Sequence, residues 1–129
     1  MAGHDRPVIV VEDDASMTHA MQRILRLGGF PVIAFASAEE LMKSGVGSAR
    51  CMIIDVQLPG MSGFTLRDRL AAAGNAPPVI FITAFDDPEM RTWAESSGGA
   101  VLLTKPFSGH LLLDTVRRVS IDPAPKEEP

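Results

Sequence analysis

Short apolar runs alternate along the chain with stretches whose apolar residues recur every three or four positions. The first run, Val8-Ile9-Val10-Val11, is rich in β-branched residues and is closed by Glu12-Asp13-Asp14. It predicts a buried strand. Met17, Ala20, Met21, Ile24 and Leu25 then fall on one face of a helix. Asp14 suits its N-cap, and Gly28-Gly29 its end. Val32 to Phe35 predicts a second strand. Ser37, followed three residues later by Glu40, has the capping-box pattern and opens a helix that stops near Gly45. Cys51-Met-Ile-Ile-Asp55 predicts a third strand, ending on an acid. Leu58 to Gly63 reads as a loop from its Pro and Gly content. A helix is expected from Phe64 to Ala73, broken by Gly74 to Pro78, and Val79-Ile-Phe-Ile-Thr83 is the fourth strand. Asp87-Pro88-Glu89 combines proline at a first helical position with acids at the positive end of the helix dipole. That helix is expected to run past Trp93 to Gly98-Gly99. Val101 to Leu103 is the fifth strand. Ser108 caps a last helix whose apolar face is Leu112, Leu113, Val116 and Val119.

Five strands alternating with five helices predict an α/β fold, (βα)₅, with a parallel sheet. Nearly continuous apolar strands mean that helices cover both faces, joined by right-handed crossovers. The 129 residues suit one domain, expected over residues 1–121. Residues 122–129 are rich in Pro, Glu and Lys and read as a disordered tail. The formal charge of −4, with basic residues scattered rather than clustered, argues against direct nucleic-acid binding. The N-terminal apolar run is too short for a signal peptide or a membrane span. A single cysteine, Cys51, excludes an internal disulfide and fits a reducing compartment. A cytoplasmic location is expected.

The polar residues that matter sit at strand ends. Glu12 and Asp13 follow the first strand, Asp55 ends the third, Thr83 ends the fourth and Lys105 follows the fifth. Open parallel sheets bind ligands outside the carboxyl ends of their strands, so the fold would gather residues that are far apart in sequence. Three carboxylates brought together repel unless a cation joins them. Oxygen ligands without His or Cys suit Mg²⁺, with Mn²⁺ as an alternative, rather than zinc. A carboxylate can attack phosphorus to give an acyl phosphate. A lysine, a hydroxyl and backbone N–H groups can hold the phosphoryl oxygens.

Four stretches carry a family resemblance: Ile9-Val-Val-Glu-Asp13, Met52-Ile-Ile-Asp55-Val-Gln-Leu-Pro-Gly-Met-Ser-Gly63, Ile80-Phe-Ile-Thr83-Ala84 and Leu103-Thr-Lys105-Pro-Phe107. In this order and spacing they resemble the CheY-like receiver domains of two-component response regulators, over about residues 6 to 120. The resemblance implies a flavodoxin-like sheet of order 2-1-3-4-5. It implies that Asp55 accepts a phosphoryl group from a sensor histidine kinase or phosphotransfer protein. Asp13, Asp55 and the backbone carbonyl of Gln57 would ligate Mg²⁺, with Glu12 acting through water. Thr83 and Lys105 would hold the phosphoryl group, and Lys105-Pro106 would be a cis peptide. Gln57 and Phe85 would flank the water that hydrolyses the acyl phosphate, with Phe85 screening it. The downstream partner would be a protein that contacts the fourth and fifth helices, and a homodimer is compatible with this. Such a domain is a switch rather than a turnover enzyme. Its chemistry on itself is limited to accepting and losing the phosphoryl group.

One position departs from the family pattern. Many receivers place Tyr or Phe three residues before the lysine, and this chain has Leu102 and no tyrosine. That favours, as an alternative, an interaction module that works without phosphorylation. A stand-alone regulator and a receiver cut from a longer transcription regulator look alike in this sequence. An aspartate-nucleophile phosphatase is disfavoured, because such enzymes usually carry a second Asp where Gln57 stands. His4, His19 and His110 have no ligand spacing. Cys51 reads as an inert core residue. Trp93 and the seven methionines serve packing or partner contact.

Overall fold

The computed structural model describes residues 6–74, 76–85, 87–96 and 100–120. The expected tail and the expected Gly98-Gly99 helix end lie outside these residues. Five strands, β1 (Val8–Val11), β2 (Val32–Phe35), β3 (Cys51–Asp55), β4 (Val79–Thr83) and β5 (Val101–Thr104), alternate with five helices. The helices are α1 (Ala15–Leu27), α2 (Ala38–Ser44), α3 (Gly63–Ala72), α4 (Pro88–Glu95) and α5 (Gly109–Val119). The strands form one parallel sheet in the order β2-β1-β3-β4-β5, as the sequence implied.

The central strands β1, β3 and β4 are buried at every position, whereas the edge strands β2 and β5 are partly exposed. Helices cover both faces, so alternate residues of each central strand enter different core layers. Val8, Val10, Cys51, Ile53, Ile80 and Ile82 pack against Met21 and Leu25 of α1 and Leu112 and Val116 of α5. Ile9, Val11, Met52, Ile54 and Phe81 face Leu41 of α2, Leu66 and Leu70 of α3 and Ala94 of α4. The second layer is also aromatic. The ring of Phe64 lies 3.9 Å from that of Trp93 and 4.7 Å from that of Phe81, centroid to centroid. Trp93 therefore joins α4 to α3 and β4.

Helix starts follow the sequence signals. Asp14, Ser37, Asp87 and Ser108 each accept a backbone N–H from the first turn of their helix, satisfying donors that the helix itself leaves free. Glu40 completes the α2 cap by accepting the N–H of Ala36 at 3.2 Å. Both ends of α3, the end of α4 and the end of β5 differ from expectation. Helix α3 stops at Ala72, and α4 stops at Glu95 with Ser96 as its cap, short of Gly98-Gly99. Helix α3 starts one residue earlier, because Ser62 Oγ caps it by accepting Thr65 N–H at 3.1 Å. Strand β5 runs one residue further, because Thr104 stays in register beside Thr83. Among the described residues no helix is long and apolar enough to cross a membrane.

Candidate functional site

A parallel sheet delivers every strand to the same edge, and here that edge collects the polar residues. Glu12 leaves β1, Asp55 closes β3, Thr83 closes β4 and Lys105 follows β5. Glu12, Asp13 and Asp55 each offer a carboxylate oxygen within 4.8 Å of the others. Glu12 is 2% exposed and Asp55 5%, while Asp13 faces solvent.

Lys105 is the cation among them. Its ammonium donates to Glu12 Oε1 and to Asp55 Oδ2, both at 3.1 Å. The backbone aims it: Lys105 N–H donates to the Thr83 carbonyl at 2.7 Å, extending the β4–β5 ladder by one bond. The following Lys105-Pro106 peptide is cis. Burial pushes the Glu12 carboxyl above its ordinary range, only partly offset by the N–H of Asp14 and the ammonium of Lys105. Burial pulls the Lys105 ammonium down. Its hydrogen bonds to Glu12 and Asp55, with their charges, outweigh that pull and hold it above its ordinary value.

Two backbone bonds fix the loop after β3. Val56 N–H donates to the Ile82 carbonyl, and Gly63 N–H donates to the Val56 carbonyl, each at 2.9 Å. The Gln57 N–H donates to Asp55 Oδ1 at 2.9 Å. One carboxylate oxygen of Asp55 thus faces the lysine and the other the loop. Gly63 is required for this closure, since a Cβ there would collide with the Asp55 carbonyl oxygen and lie 2.8 Å from Ile54 Cγ2. The sequence placed Gly63 in a motif but gave it no role. Its only local signal was a glycine just after a capping serine.

Thr83 is wholly buried. Its hydroxyl accepts the N–H of Phe85 at 3.1 Å and donates to Gln57 Oε1 at 3.2 Å. Nothing in the sequence signalled this side-chain contact. Phe85 itself is 62% exposed. Leu102, beside Phe81 in the sheet, is half-buried and packs in the same layer as Met90 and Trp93. A cleft of about 350 Å³ runs from the carboxylates between α1 and β2, past Glu12, Asp13, His19, Phe35 and Glu40. His19 and His110 are exposed, and His110 lies 3.5 Å from Asp114. His4 lies outside the described residues.

The donor set fits a hard divalent cation. It is all oxygen and partly buried, and one lysine pairs with two of its three carboxylates, Glu12 and Asp55. The Asp55 carboxylate is oriented from two sides, by the Lys105 ammonium and the Gln57 N–H, and Thr83 with its hydroxyl ends the neighbouring strand. This arrangement can accept an electrophile whose charge grows on several oxygens.

The response regulator receiver domain profile matches residues 8–117. Nodulation protein W of Bradyrhizobium diazoefficiens is 40% identical over 110 residues, covering 84% of this chain and 48% of that protein. Response regulator protein TmoT of Ectopseudomonas mendocina is 32% identical over 129 residues, covering 98% of this chain and 59% of that protein. The chain therefore spans about half the length of these relatives. Among solved structures, a response regulator receiver protein from Burkholderia phymatum is 39% identical with a TM-score of 0.76, covering 90% of this chain and 95% of that one. Response regulator StyR is 34% identical with a TM-score of 0.80, covering 88% and 58%. With this match over most of its length, the chain belongs to the response regulator receiver family of two-component systems.

Proposed function

We propose that this domain is a phosphorylation-controlled switch in which Asp55 accepts the phosphoryl group. Receiver domains are signalling switches rather than conventional enzymes, and they pair with histidine kinases or phosphotransfer proteins. The observation that carries the reading is the setting of Asp55, a nearly buried strand-end carboxylate held between Lys105 and the Gln57 N–H. In the transfer, an oxygen of Asp55 attacks phosphorus while the bond to the donor imidazole breaks. The electron pair of that bond returns to the imidazole nitrogen. Lys105 then turns from the Asp55 carboxylate to the new phosphoryl oxygens, and the Thr83 hydroxyl donates to another. Asp13, Asp55 and the Gln57 carbonyl would hold Mg²⁺ directly, and Glu12 would act through water. When bound, the ion offsets charge on the phosphoryl oxygens.

The test is incubation with acetyl phosphate and Mg²⁺, followed by intact mass. One added phosphoryl group, absent from Asp55→Asn, is expected, and an unmodified wild type would overturn the assignment. Phe85 would slow the loss of that group by screening the attacking water. Phe85→Ala should shorten the lifetime of the acyl phosphate, and an unchanged decay rate counts against the screen.

The signal would leave through α4 and α5 to a protein partner, in a cytoplasmic setting, with a homodimer as one route. Because the relatives are about twice as long, that partner could equally be a further domain of a longer regulator. Leu102 supports a second reading, an interaction module that works without phosphorylation. With no aromatic ring at that position to reorient, the β5 part of the usual switch is missing. Unchanged partner binding after full phosphorylation would favour this second reading.

A further inference from the structure

We propose that the Gln57 side chain is a latch on the Thr83 hydroxyl, so that the resting state holds back the donor that phosphorylation needs. This rests on Asp55 being the phosphoryl acceptor, and it adds a positioning residue to that site.

A threonine hydroxyl carries one proton. Here Thr83 Oγ1 already accepts the N–H of Phe85, and its proton goes to Gln57 Oε1. That proton is therefore engaged before any phosphoryl group arrives. The same residue reaches Asp55 by its backbone, since Gln57 N–H donates to Asp55 Oδ1. Gln57 thus ties the end of β3 to the end of β4, across a gap of 26 residues in sequence. Its position suits a releasable tie. Thr83 is wholly buried and has few alternatives for its proton, whereas Gln57 is exposed and its amide can turn to water at low cost. The backbone anchor of the loop, Val56 N–H to the Ile82 carbonyl, does not involve the Gln57 amide. Phosphorylation would redirect the Thr83 proton to a phosphoryl oxygen and free the amide. The resting latch therefore subtracts from the free energy of activation by the strength of one neutral, part-exposed hydrogen bond.

The experiment compares wild type, Gln57→Met, Thr83→Ala and the double variant. Methionine keeps the length and bulk of glutamine but cannot accept the proton. The probe is beryllofluoride at saturating Mg²⁺, titrated against backbone amide NMR signals, with melting temperatures as a check on folding. Gln57→Met should bind the probe about two- to tenfold more tightly, the equivalent of one lost resting hydrogen bond. In the Thr83→Ala background the same substitution should change nothing, because there is no hydroxyl left to hold. Unchanged or weaker binding by Gln57→Met overturns the latch. So does an equal gain in both backgrounds, which would mean that Gln57 acts on the probe or on water rather than through Thr83. A wild type that neither binds beryllofluoride nor gains mass from acetyl phosphate overturns the phosphoryl-acceptor reading, and the latch with it. A wild type that does both, with no coupling in the cycle, removes the latch alone.

Discussion

Strand β3 has a chemically capable side chain at each end, and the two ends have opposite characters. Cys51 at its start is wholly buried and Asp55 at its finish nearly so. Burial alone therefore does not separate them. Around Cys51 the surroundings are apolar, with Val8, Ile80 and Val116 in the same core layer. The Ser120 hydroxyl approaches its sulfur at 3.8 Å. Burial pushes the thiol up to about 11, against a smaller pull from the Ser120 hydroxyl and the charges of Arg50 and Arg6. Around Asp55 the sheet edge supplies an ammonium, a backbone N–H and two further carboxylates. A buried group whose desolvation outweighs the pull of its neighbours is held in its neutral form. A buried group facing fixed partners at an open edge is placed for reaction. The strand is one apolar run; the difference lies in what the other strands bring to each end.

The largest expected effect comes from exchanging the two ends as targets. Asp55→Asn should abolish phosphoryl incorporation from acetyl phosphate, while Cys51→Ala should leave it intact and cost only about 1 kcal/mol of stability from a small cavity. If intact mass shows Cys51→Ala as dead as Asp55→Asn, the contrast fails. Next comes Lys105→Ala, which leaves Glu12 and Asp55 facing each other without their cation. It should lower metal-free stability in urea unfolding by about 1–3 kcal/mol. The loss should shrink when Mg²⁺ is added, since the ion then supplies the missing charge.

The third effect is the response to the ion itself. Mg²⁺ at ten times its Kd should stabilise the wild type by about 1.4 kcal/mol, a rise of a few degrees in Tm. Asp13→Ala should lose most of that rise. A wild type whose melting does not respond to millimolar Mg²⁺ would remove the metal from the Asp55 end. The smallest effect belongs to Cys51. Its folded value lies above the ordinary 9.0, so the unfolded thiol ionises first and stability falls as pH rises through 9.0, levelling off near 11. By pH 9.5 the loss should be under about 1 kcal/mol, and Cys51→Ala should abolish this slope. Ellman's reagent should label Cys51 far more slowly in the folded protein than in urea. Equal rates would show that the amino end is not closed.

Much of this was legible in the sequence, for local reasons. Each strand is a short β-branched run, and Asp14, Ser37, Asp87 and Ser108 mark helix starts with side chains that bond the next few backbone donors. The start of α3 was harder, because a glycine at a first helical position reads as a breaker. Gly63 is there because the helix must come against the Asp55 carbonyl, a close approach that no local pattern encodes. Thr104 reads as loop beside Lys105-Pro106, yet it belongs to β5 because Thr83 stands next to it in the sheet. The Gln57–Thr83 bond was invisible for the same reason. It depends on how far one exposed side chain reaches toward a neighbouring strand.

The sequence by itself determined the alternation of strands and helices, the parallel sheet it implies, and the polar residue that ends or follows each of four strands. These are properties of the pattern, since period and capping act over a few residues. Only the tertiary structure decided how those ends meet: Lys105 bridging Glu12 and Asp55, Gly63 admitting α3 to the back of Asp55, and Gln57 holding the Thr83 proton. Those contacts join residues from 8 to 93 positions apart. Their geometry is fixed by sheet register and packing, and no window of sequence contains either.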